Sequence, residues 1–342
     1  MSETGIRLRV AVIGAGMRSR SVWLRLVTGH DACDLVGLAD PAPTALTAAV
    51  ETGLVQAISC FEDTATMLAT VSPDLVIACP IIDAHGTAVR AALEHNCHVL
   101  VEKPFVTDID EAISLANLAD SQGVRLAVVQ NWRTKSAGAA LRTAITAGRI
   151  GAVSHIAFRY LRDREKPHLP EYLFDEDDAV LWAMGIHHFD LFRYVLQDEI
   201  ISAKGMSFTP EWSRYRTPSI VDLSLKTAGG VLISYVASFS SRNAHIPQES
   251  MQIEGALGTL YNDSQYFEPP LLLSLRDSSS PIDLTLGAPR GEREQYDLAD
   301  AAVLENMIAA VFDPKVRLIA DGRDNIGTLQ AIDLARQALR GS

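Results

Sequence analysis

Hydrophobic positions form two patterns along the chain, and the change lies near residue 130. Up to that point short, mainly apolar runs alternate with helix-like segments, and the runs fall at Leu8–Ile13, Asp34–Ala39, Leu54–Cys60, Asp74–Ala78, His98–Val101 and Leu126–Gln130. Strands that are apolar on both faces are typical of parallel sheets, whose right-handed crossovers place helices on both sides. Residues 1–130 are therefore predicted to form a doubly wound α/β domain.

After residue 130 the hydrophobic positions alternate with period two, in segments that include His155–Tyr160, Ile220–Lys226, Val231–Ser238 and Ser250–Glu254. Such alternation indicates strands with one buried and one free face. Helix-like segments accompany them at Val180–Leu196, Leu298–Phe312 and Ile326–Leu339. Residues 131–342 are predicted to form an α+β domain with a large open-faced, mainly antiparallel sheet. Because the free face needs a cover, we expect a homodimer or homotetramer formed through it.

Composition narrows the range of partners. The 342 residues carry a formal net charge of −12, and 48% of them are hydrophobic. Nucleic acids and anionic membrane surfaces require concentrated Lys and Arg, so neither is expected as a partner. The four cysteines lie singly, no apolar run is long enough to cross a bilayer, and His, Cys, Asp and Glu show no metal-ligand spacing. We expect a cytoplasmic protein that acts on a small molecule without a metal.

The first apolar run leads directly into a glycine turn, Gly14-Ala15-Gly16-Met17-Arg18-Ser19, and then into a helix. A dinucleotide fingerprint needs this context: Gly14 permits the tight turn, and Gly16 lets the backbone approach a pyrophosphate at the helix N-terminus. Ser19 occupies the third glycine position and is small enough for close packing. Met17 and Arg18 are counted with the two glycines as cofactor contacts.

Asp40 ends the second predicted strand, 26 positions after Gly14. This is close to the spacing of about 20 expected for an acid that binds the adenosine ribose. A carboxylate there would accept hydrogen bonds from the ribose hydroxyls and repel a 2′-phosphate, and residues 41–49 contain no Arg or Lys. NAD is therefore favoured over NADP. The competing interpretation of Asp40 is a helix cap.

A third feature is the apolar run Val99-Leu100-Val101, which ends abruptly in Glu102-Lys103-Pro104. A buried parallel strand brings the residues after it to the carboxyl edge of its sheet, where open α/β sheets bind ligands. Pro104 ends the strand ladder and restricts the backbone of the residue before it. Lys103 is thus either a site residue on a rigid corner or the lysine of a surface salt bridge.

The predicted helix at Val180–Leu196 carries Gly185-Ile186-His187-His188-Phe189-Asp190. Neighbouring helical residues point about 100° apart, so at most one of the two histidines faces a given pocket. His187 titrates near neutral pH and is suited to exchange a hydroxyl proton during hydride transfer. The alternative is a core histidine bonded to a backbone carbonyl. Asp190 fits a structural role more readily.

Three further side chains are candidates for substrate contact. Tyr160 and Arg162 share one face at the end of the first strand of the second domain. That face is either a contact for substrate hydroxyls, a carboxylate or a phosphate, or a solvated edge. Trp182 is either a wall of the substrate pocket or a core residue.

The Gly14-x-Gly16 turn, Glu102-Lys103-Pro104 and Gly185-x-His187-x-x-Asp190 together resemble the Gfo/Idh/MocA oxidoreductases, over about residues 7–340. The resemblance implies a Rossmann domain followed by an open-faced sheet domain, NAD or NADP as hydride carrier, and sugars or cyclitols as typical substrates. It also implies that Lys103 contacts the nicotinamide ribose and the substrate hydroxyl, that Pro104 matches a proline that is often cis, and that His187 exchanges the substrate proton.

Two other segments extend the resemblance. Cys79-Pro80 with His85 resembles the family's Thr-Pro…His segment beside the cofactor, and Asn131-Trp132-Arg133 resembles its Asn-x-Arg entry to the second domain. The implied cofactor contacts are Cys79, Pro80, His85, Glu102, Lys103 and Asn131, and the substrate contacts include Lys103, Trp132, Arg133 and His187.

One position departs from the family pattern. Many members carry an aspartate four residues before the histidine, and this chain has Ala183. Alanine neither orients a hydroxyl nor tunes the histidine, so either another group replaces the carboxylate or the chemistry differs. The acidic run 175–178 is one source of a carboxylate, and a solvated loop is the other interpretation of that run.

The leading hypothesis is an NAD-dependent dehydrogenase that oxidises a secondary hydroxyl of a sugar, sugar derivative or cyclitol, or catalyses the reverse reduction. Lys103 would polarise the hydroxyl and His187 would exchange its proton. A second hypothesis is a redox-neutral glycoside hydrolase or lyase that uses NAD transiently and turns over without net NADH. The third is a non-catalytic dinucleotide-binding sensor on the same fold.

Overall fold

The computed structural model describes residues 7–340 apart from 168, 170, 243–246 and 265–266. Contacts between Cα atoms divide the chain into a first unit, Met1–Gln130 with Asp300–Ile326, and a second unit, Asn131–Ala299 with Gly327–Ser342. The sequence places all of residues 131–342 in the second domain, whereas residues 300–326 lie in the first unit. Their apolar side chains explain the difference, because Leu304 and Met307 are buried in the core of the first unit.

The first unit contains a six-stranded parallel sheet. Its strands are β1 (Leu8–Ile13), β2 (Cys33–Ala39), β3 (Cys60–Phe61), β4 (Leu75–Ala78), β5 (His98–Val101) and β6 (Leu126–Val128). The order across the sheet is β3-β2-β1-β4-β5-β6, with parallel pairing throughout these strands. The order reverses between β1 and β4, which is where doubly wound sheets bind ligands. The predicted fold of this unit is confirmed.

Helices connect these strands. A π-helical turn at Ser19–Trp23 leads into α1 (Leu24–Thr28), and the others are α2 (Pro43–Val50), α3 (Thr64–Val71), α4 (His85–Glu94) and α5 (Ile109–Gln122). Aspartates cap two of them: the side chain of Asp63 accepts a hydrogen bond from the Thr66 N–H, and that of Asp108 from the Glu111 N–H. Such caps satisfy backbone donors that the first helical turn leaves open.

The strand predicted at residues 54–60 is wrong. Ala57–Ser59 forms a 3₁₀ turn, and only Cys60 and Phe61 pair with β2 at the sheet edge. Ile58 shows the reason, because its side chain is 85% exposed and the stretch buries no continuous apolar face.

The second unit contains an eight-stranded sheet. Its strands are β7 (Val153–Leu161), β8 (Ile200–Phe208), β9 (Ile220–Thr227), β10 (Leu232–Ser238), β11 (Glu249–Gly255), β12 (Gly258–Ser264), β13 (Leu272–Leu275) and β14 (Ile282–Asp283). The order is β14-β13-β12-β11-β7-β10-β9-β8, and the pairs are antiparallel apart from the parallel pair β7 and β10. The predicted mainly antiparallel sheet is confirmed.

One face of this sheet carries the helix with the histidines. Its helices are α6 (Ser136–Thr146) and α7 (Ile186–Leu196), and a π-helical turn at Leu181–Gly185 leads into α7. Two further helices, α8 (Glu292–Phe312) and α9 (Gly322–Arg340), have residues in both units. Phe192 of α7 packs against Phe158 of β7, whose ring stacks on that of Tyr235 from β10. On the opposite face, alternate residues of β9 are exposed. No helix in the described part of the chain has the length and hydropathy needed to span a membrane.

Candidate functional site

The glycine turn at the carboxyl edge of the first sheet uses its two glycines differently. Gly14 has φ +95°, and a Cβ there would lie 2.3 Å from the carbonyl oxygen of Cys79, so only glycine fits. A Cβ on Gly16 would meet no described atom within 4 Å. Gly14 therefore lets the turn pack against the end of β4, while Gly16 borders open space of the kind that a pyrophosphate needs beside the backbone.

Asp40 follows β2 and is held by the backbone around it. Its Oδ2 accepts a hydrogen bond from the Ala15 N–H at 2.7 Å, and its Oδ1 accepts one from the Ala42 N–H at 2.8 Å. A carboxylate has about four acceptor positions, so each oxygen retains one. These positions suit two ribose hydroxyls. Asp40 is not itself the N-cap residue of α2, which is Ala42, and its contact with the ribose stays a prediction.

Lys103 lies on a rigid corner directly after β5. Across the described run 99–106, every side chain except that of Lys103 is buried. The peptide between Lys103 and Pro104 is cis. On one side, Glu102 Oε1 accepts hydrogen bonds from Arg18 Nε at 2.6 Å and Trp23 Nε1 at 2.9 Å. On the other, the Pro104 carbonyl bonds to His85 Nδ1 at 2.7 Å. The corner thus presents Lys103 at the sheet edge.

Arg18 ties this corner to the glycine turn. Its guanidinium bonds to Glu102 and, through Nη2, to Asp300 of α8 at 2.8 Å. Burial alone would lower the pKa of Arg18, but the two carboxylates outweigh it and raise that pKa. Sequence reasoning missed Asp300, which is distant along the chain and gives no local signal. Arg18 therefore stabilises this corner through its two carboxylate partners. Its neighbour Met17 is exposed. The cofactor contacts expected of Met17 and Arg18 stay predictions.

His85 and Cys79 are buried at the same edge. Burial lowers the pKa of His85, and because the Pro104 carbonyl can only accept, the His85 proton resides on Nδ1. Burial, with a smaller effect of Glu102, raises the pKa of the Cys79 thiol, so Cys79 is not a reactive nucleophile. The cofactor contacts expected of Cys79, Pro80, His85 and Asn131 stay predictions.

In the second unit, α7 gives its two adjacent histidines different surroundings. His188 is fully buried, and its Nδ1 lies 2.9 Å from the Tyr235 hydroxyl. His187 retains 7% exposure and stacks on Trp132, with ring centres 5.9 Å apart and planes at 14°. His188 therefore has the role of a core histidine, and His187 is the one suited to proton exchange.

Asp190 has the structural role expected of it, and its partner is Arg133. Asp190 accepts hydrogen bonds from Arg133 Nε at 2.7 Å and Nη2 at 2.6 Å, and from Thr328 Oγ1 at 2.9 Å. Both charged groups are buried. The guanidinium of Arg133 is thus engaged with a carboxylate inside the unit, and the substrate contact expected of Arg133 stays a prediction.

Two more of the predicted substrate contacts pack against the histidines. Trp132 and Tyr160 are both fully buried, Trp132 against His187 and Phe267, and Tyr160 at 5.2 Å from the His188 ring. Their substrate contacts stay predictions. Arg162, over the Tyr160 ring, and Trp182, 5.4 Å below the Arg336 guanidinium, are half-buried, and their substrate contacts stay predictions.

Two carboxylates of the acidic run 175–178 form ion pairs. Asp175 forms an ion pair with Arg216 at 2.5 Å, and Asp178 forms one with Arg336 at 2.7 Å. These carboxylates are therefore engaged with arginines of their own unit. Among the described residues, no group of three or more His, Cys, Asp or Glu is arranged to hold a metal ion.

Sequence reasoning missed two buried charged groups of the second unit. Lys135 is 1% exposed, and its Nζ lies 4.7 Å from the centre of the Trp132 ring. Glu249, at the start of β11, is also 1% exposed, and burial raises the pKa of its carboxyl to about 8 against the opposing effects of Lys135 and Arg162. Glu249 is in phase with the buried Met251, so a predicted strand one residue longer would have placed a carboxyl on the buried face.

Comparisons with known proteins agree with this fold. Residues 8–130 match the Gfo/Idh/MocA model described as an oxidoreductase family with an NAD-binding Rossmann fold, and residues 139–261 match a C-terminal domain of that family. A D-apiose dehydrogenase of Paraburkholderia graminis is 26% identical over 266 residues, covering 76% of this chain and 68% of that protein. An inositol 2-dehydrogenase of Rhizobium meliloti is 23% identical over 344 residues, covering 96% of each.

Among solved structures, an oxidoreductase from Agrobacterium radiobacter in complex with NAD+, L-tartaric acid and magnesium superposes with a TM-score of 0.87. The two chains are 16% identical, and the match covers 98% of this chain and 96% of that one. At this identity the likeness shows the fold alone.

Proposed function

Because the chain belongs to the Gfo/Idh/MocA oxidoreductase family, we propose that it is an NAD-dependent dehydrogenase of a secondary hydroxyl on a sugar, sugar derivative or cyclitol, working in either direction. Membership itself makes the chain an oxidoreductase with an NAD-binding Rossmann fold. The observation that carries the substrate chemistry is the rigid corner on which Lys103 is the one side chain of the run 99–106 that is not buried.

The first unit would hold the cofactor by its glycine turn and Asp40. The backbone at Gly16 has room for the pyrophosphate, and Asp40 keeps one acceptor position on each oxygen for the ribose hydroxyls. The fixed negative charge of Asp40 opposes a 2′-phosphate, which favours NAD over NADP. When bound, NAD supplies the hydride acceptor.

Lys103 and His187 would handle the proton of the substrate hydroxyl. An ammonium beside a hydroxyl oxygen stabilises the negative charge that develops there and lowers the pKa of the hydroxyl. Lys103 carries such a charge on a corner fixed by Glu102 and Pro104. A histidine that is neutral at working pH then accepts the proton as general base and returns it in the reverse direction. His187, stacked on a buried ring, is suited to this role because its orientation is fixed.

The test is hydride transfer with matched lysine variants. The purified chain receives NAD and a panel of sugars, sugar acids and cyclitols, and NADH absorbance is followed. We expect Lys103→Met and His187→Gln each to lower kcat/KM by about 10²–10⁴-fold, while NAD affinity, measured by calorimetry, changes little in His187→Gln. Lys315→Met, at an exposed position in the turn after α8, is the control and should match wild type. Equal turnover by wild type and Lys103→Met would refute the mechanism.

The comparisons do not favour the two alternative hypotheses, and the same assay separates them. A redox-neutral hydrolase or lyase would convert a glycoside without accumulating NADH. A sensor would bind NAD but reduce it with no member of the panel.

We also propose that two or four copies assemble through the free face of the second sheet. Large apolar side chains are exposed on its strands, at Ile201, Met206, Phe208 and Leu232. Such a patch is typical of a contact between subunits, and sedimentation velocity would measure the assembly.

All four cysteines are free thiols, which supports a reducing compartment such as the cytoplasm.

A further inference from the structure

Gln130, which follows the last strand of the first sheet, carries a buried amide without a hydrogen-bond partner. Its side chain is fully buried. Neither its Oε1 nor its Nε2 forms a hydrogen bond with any residue that the structure describes. A buried amide in this state has lost its water without gaining a partner, which lowers stability and is uncommon in native proteins. The side chain therefore indicates a partner from outside the chain.

The backbone holds Gln130 beside Lys103 at the carboxyl edge of the sheet. The parallel pairing of β5 and β6 ends with Val101 opposite Val128, so Lys103 and Gln130 each lie two residues beyond the last paired position. The Val129 N–H donates to the Val101 carbonyl at 2.9 Å and keeps the two chain segments together past the strand ends. Because neighbouring strands lie about 4.8 Å apart, the two residues are neighbours at this edge.

The order of the strands determines which part of a dinucleotide comes to this end of the sheet. In the proposed cofactor site, Gly16 after β1 borders the pyrophosphate and Asp40 after β2 binds the adenosine ribose. Across the sheet the strands follow one another as β2-β1-β4-β5-β6. With the adenosine at β2 and the pyrophosphate at β1, the nicotinamide half extends over β4 and β5 towards β6. Gln130 therefore lies on the nicotinamide side of the site.

The carboxamide of the nicotinamide ring matches both polar groups of this side chain. A glutamine amide has a carbonyl acceptor and an NH₂ donor, and both of these groups of Gln130 lack partners. A carboxamide has the same two groups in one plane, so two hydrogen bonds between the amides satisfy both. A pair of ribose hydroxyls is the competing partner, because hydroxyls also donate and accept.

We propose that Gln130 binds the carboxamide of the nicotinamide ring through its buried amide and so fixes the ring beside Lys103. The inference rests on the proposed place of the cofactor at Gly16 and Asp40. It adds to the cofactor site an uncharged residue that lies outside the sequence motifs.

The test compares the affinities of three ligands for the purified chain by calorimetry. They are NAD, ADP-ribose, which lacks the nicotinamide ring, and 3-acetylpyridine adenine dinucleotide, in which a methyl group replaces the carboxamide NH₂. We expect Gln130→Leu to weaken NAD binding by about tenfold, the effect of one or two hydrogen bonds, and to leave ADP-ribose binding unchanged. Wild type should prefer NAD to the acetylpyridine analogue, and Gln130→Leu should bind the two equally.

Two further measurements guard against an indirect effect on folding. Gln122→Leu makes the same substitution at an exposed position, the last residue of α5, and should match wild type with all three ligands. Without ligand, Gln130→Leu should unfold at the temperature of wild type or slightly above it, because leucine removes a buried amide that has no partner. Gln130→Met, which keeps the length of the side chain, serves where the leucine variant does not fold.

Three results would overturn the inference. One is unchanged NAD affinity in the folded variants, and another is a preference for NAD over the acetylpyridine analogue that persists in them. The third is an equal loss of affinity for NAD and ADP-ribose, which would assign the amide to the ribose or to a structural contact. None of these measurements needs turnover. Failure of the proposed dehydrogenase would instead appear in the hydride-transfer assay, with these affinities unchanged, so the two failures are distinguishable.

Discussion

The sheet edge around Lys103 and the region around His187 fix their functional side chains by different means. In the first unit, the fixing groups are hydrogen-bonded pairs: Asp40 with two backbone N–H groups, and Glu102 with Arg18 and Trp23. In the second, His187 stacks on the Trp132 ring, and the buried ammonium of Lys135 lies over that ring as well. Hydrogen bonds around the corner fix the position from which Lys103 extends, whereas buried aromatic and charged groups set the electrostatic environment of His187.

Solvent exposure sharpens this difference. The Arg18 side chain is 35% exposed although its partner Asp300 is buried, while the Arg133 side chain is 4% exposed and its partner Asp190 is fully buried. Partly exposed ion pairs contribute little to stability because solvent screens them, but breaking a buried pair leaves an uncompensated charge. An ion pair should therefore contribute differently to the free energy of unfolding in the two units.

The largest expected effect tests this point directly. Asp190→Asn should lower the free energy of unfolding by about 3–5 kcal/mol, because it leaves the Arg133 guanidinium buried without its countercharge. Asp300→Asn should cost less, about 1 kcal/mol, because Arg18 is 35% exposed to solvent and keeps Glu102 as a partner, although Asp300 itself is buried. Thermal unfolding of both variants measures the difference. Equal losses would show that the two pairs do not differ as their burial indicates.

The next effect separates folding from binding at the glycine turn. Gly14→Ala should destabilise the chain by about 2–4 kcal/mol, because its Cβ collides with the Cys79 carbonyl and the residue must keep a positive φ. Gly16→Ala has room for its Cβ in the chain itself and should leave thermal stability unchanged. We expect it to weaken NAD binding instead, as measured by calorimetry. Tight NAD binding by Gly16→Ala would place the pyrophosphate elsewhere.

The smallest effect concerns the choice of cofactor. Asp40→Ala should weaken NAD binding by about tenfold, which is about 1.4 kcal/mol. It should also reduce the preference for NAD over NADP, because the carboxylate that repels the 2′-phosphate is gone. Asp34→Ala is the matched control, since Asp34 lies on the same strand, pairs with Arg7 and is half-exposed. Its NAD affinity should equal that of wild type. Equal affinity of wild type for both cofactors would refute the role assigned to Asp40.

The sequence predicted those features that depend on neighbouring residues. Apolar runs identified most strands of the first sheet, and Glu102-Lys103-Pro104 identified its corner, because strand, charge and proline are adjacent. It failed where a side chain is defined by a distant partner. The buried pair of Arg133 with Asp190, 57 positions later, was missed because spacing alone cannot pair residues so far apart. Asp300 was missed for the same reason.

A buried carboxyl also makes folding a proton-uptake reaction. The Glu249 carboxyl in the unfolded chain loses its proton near the ordinary pKa of 4.5, whereas burial raises the folded pKa to about 8. Below pH 4.5 both states hold the proton, and Glu249 costs nothing. Between pH 4.5 and 8 the folded chain holds a proton that the unfolded chain releases, so stability falls by on the order of 1.4 kcal/mol per pH unit from this group. The enthalpy of unfolding should therefore depend on the ionisation enthalpy of the buffer, and mild alkalinity should weaken the second unit.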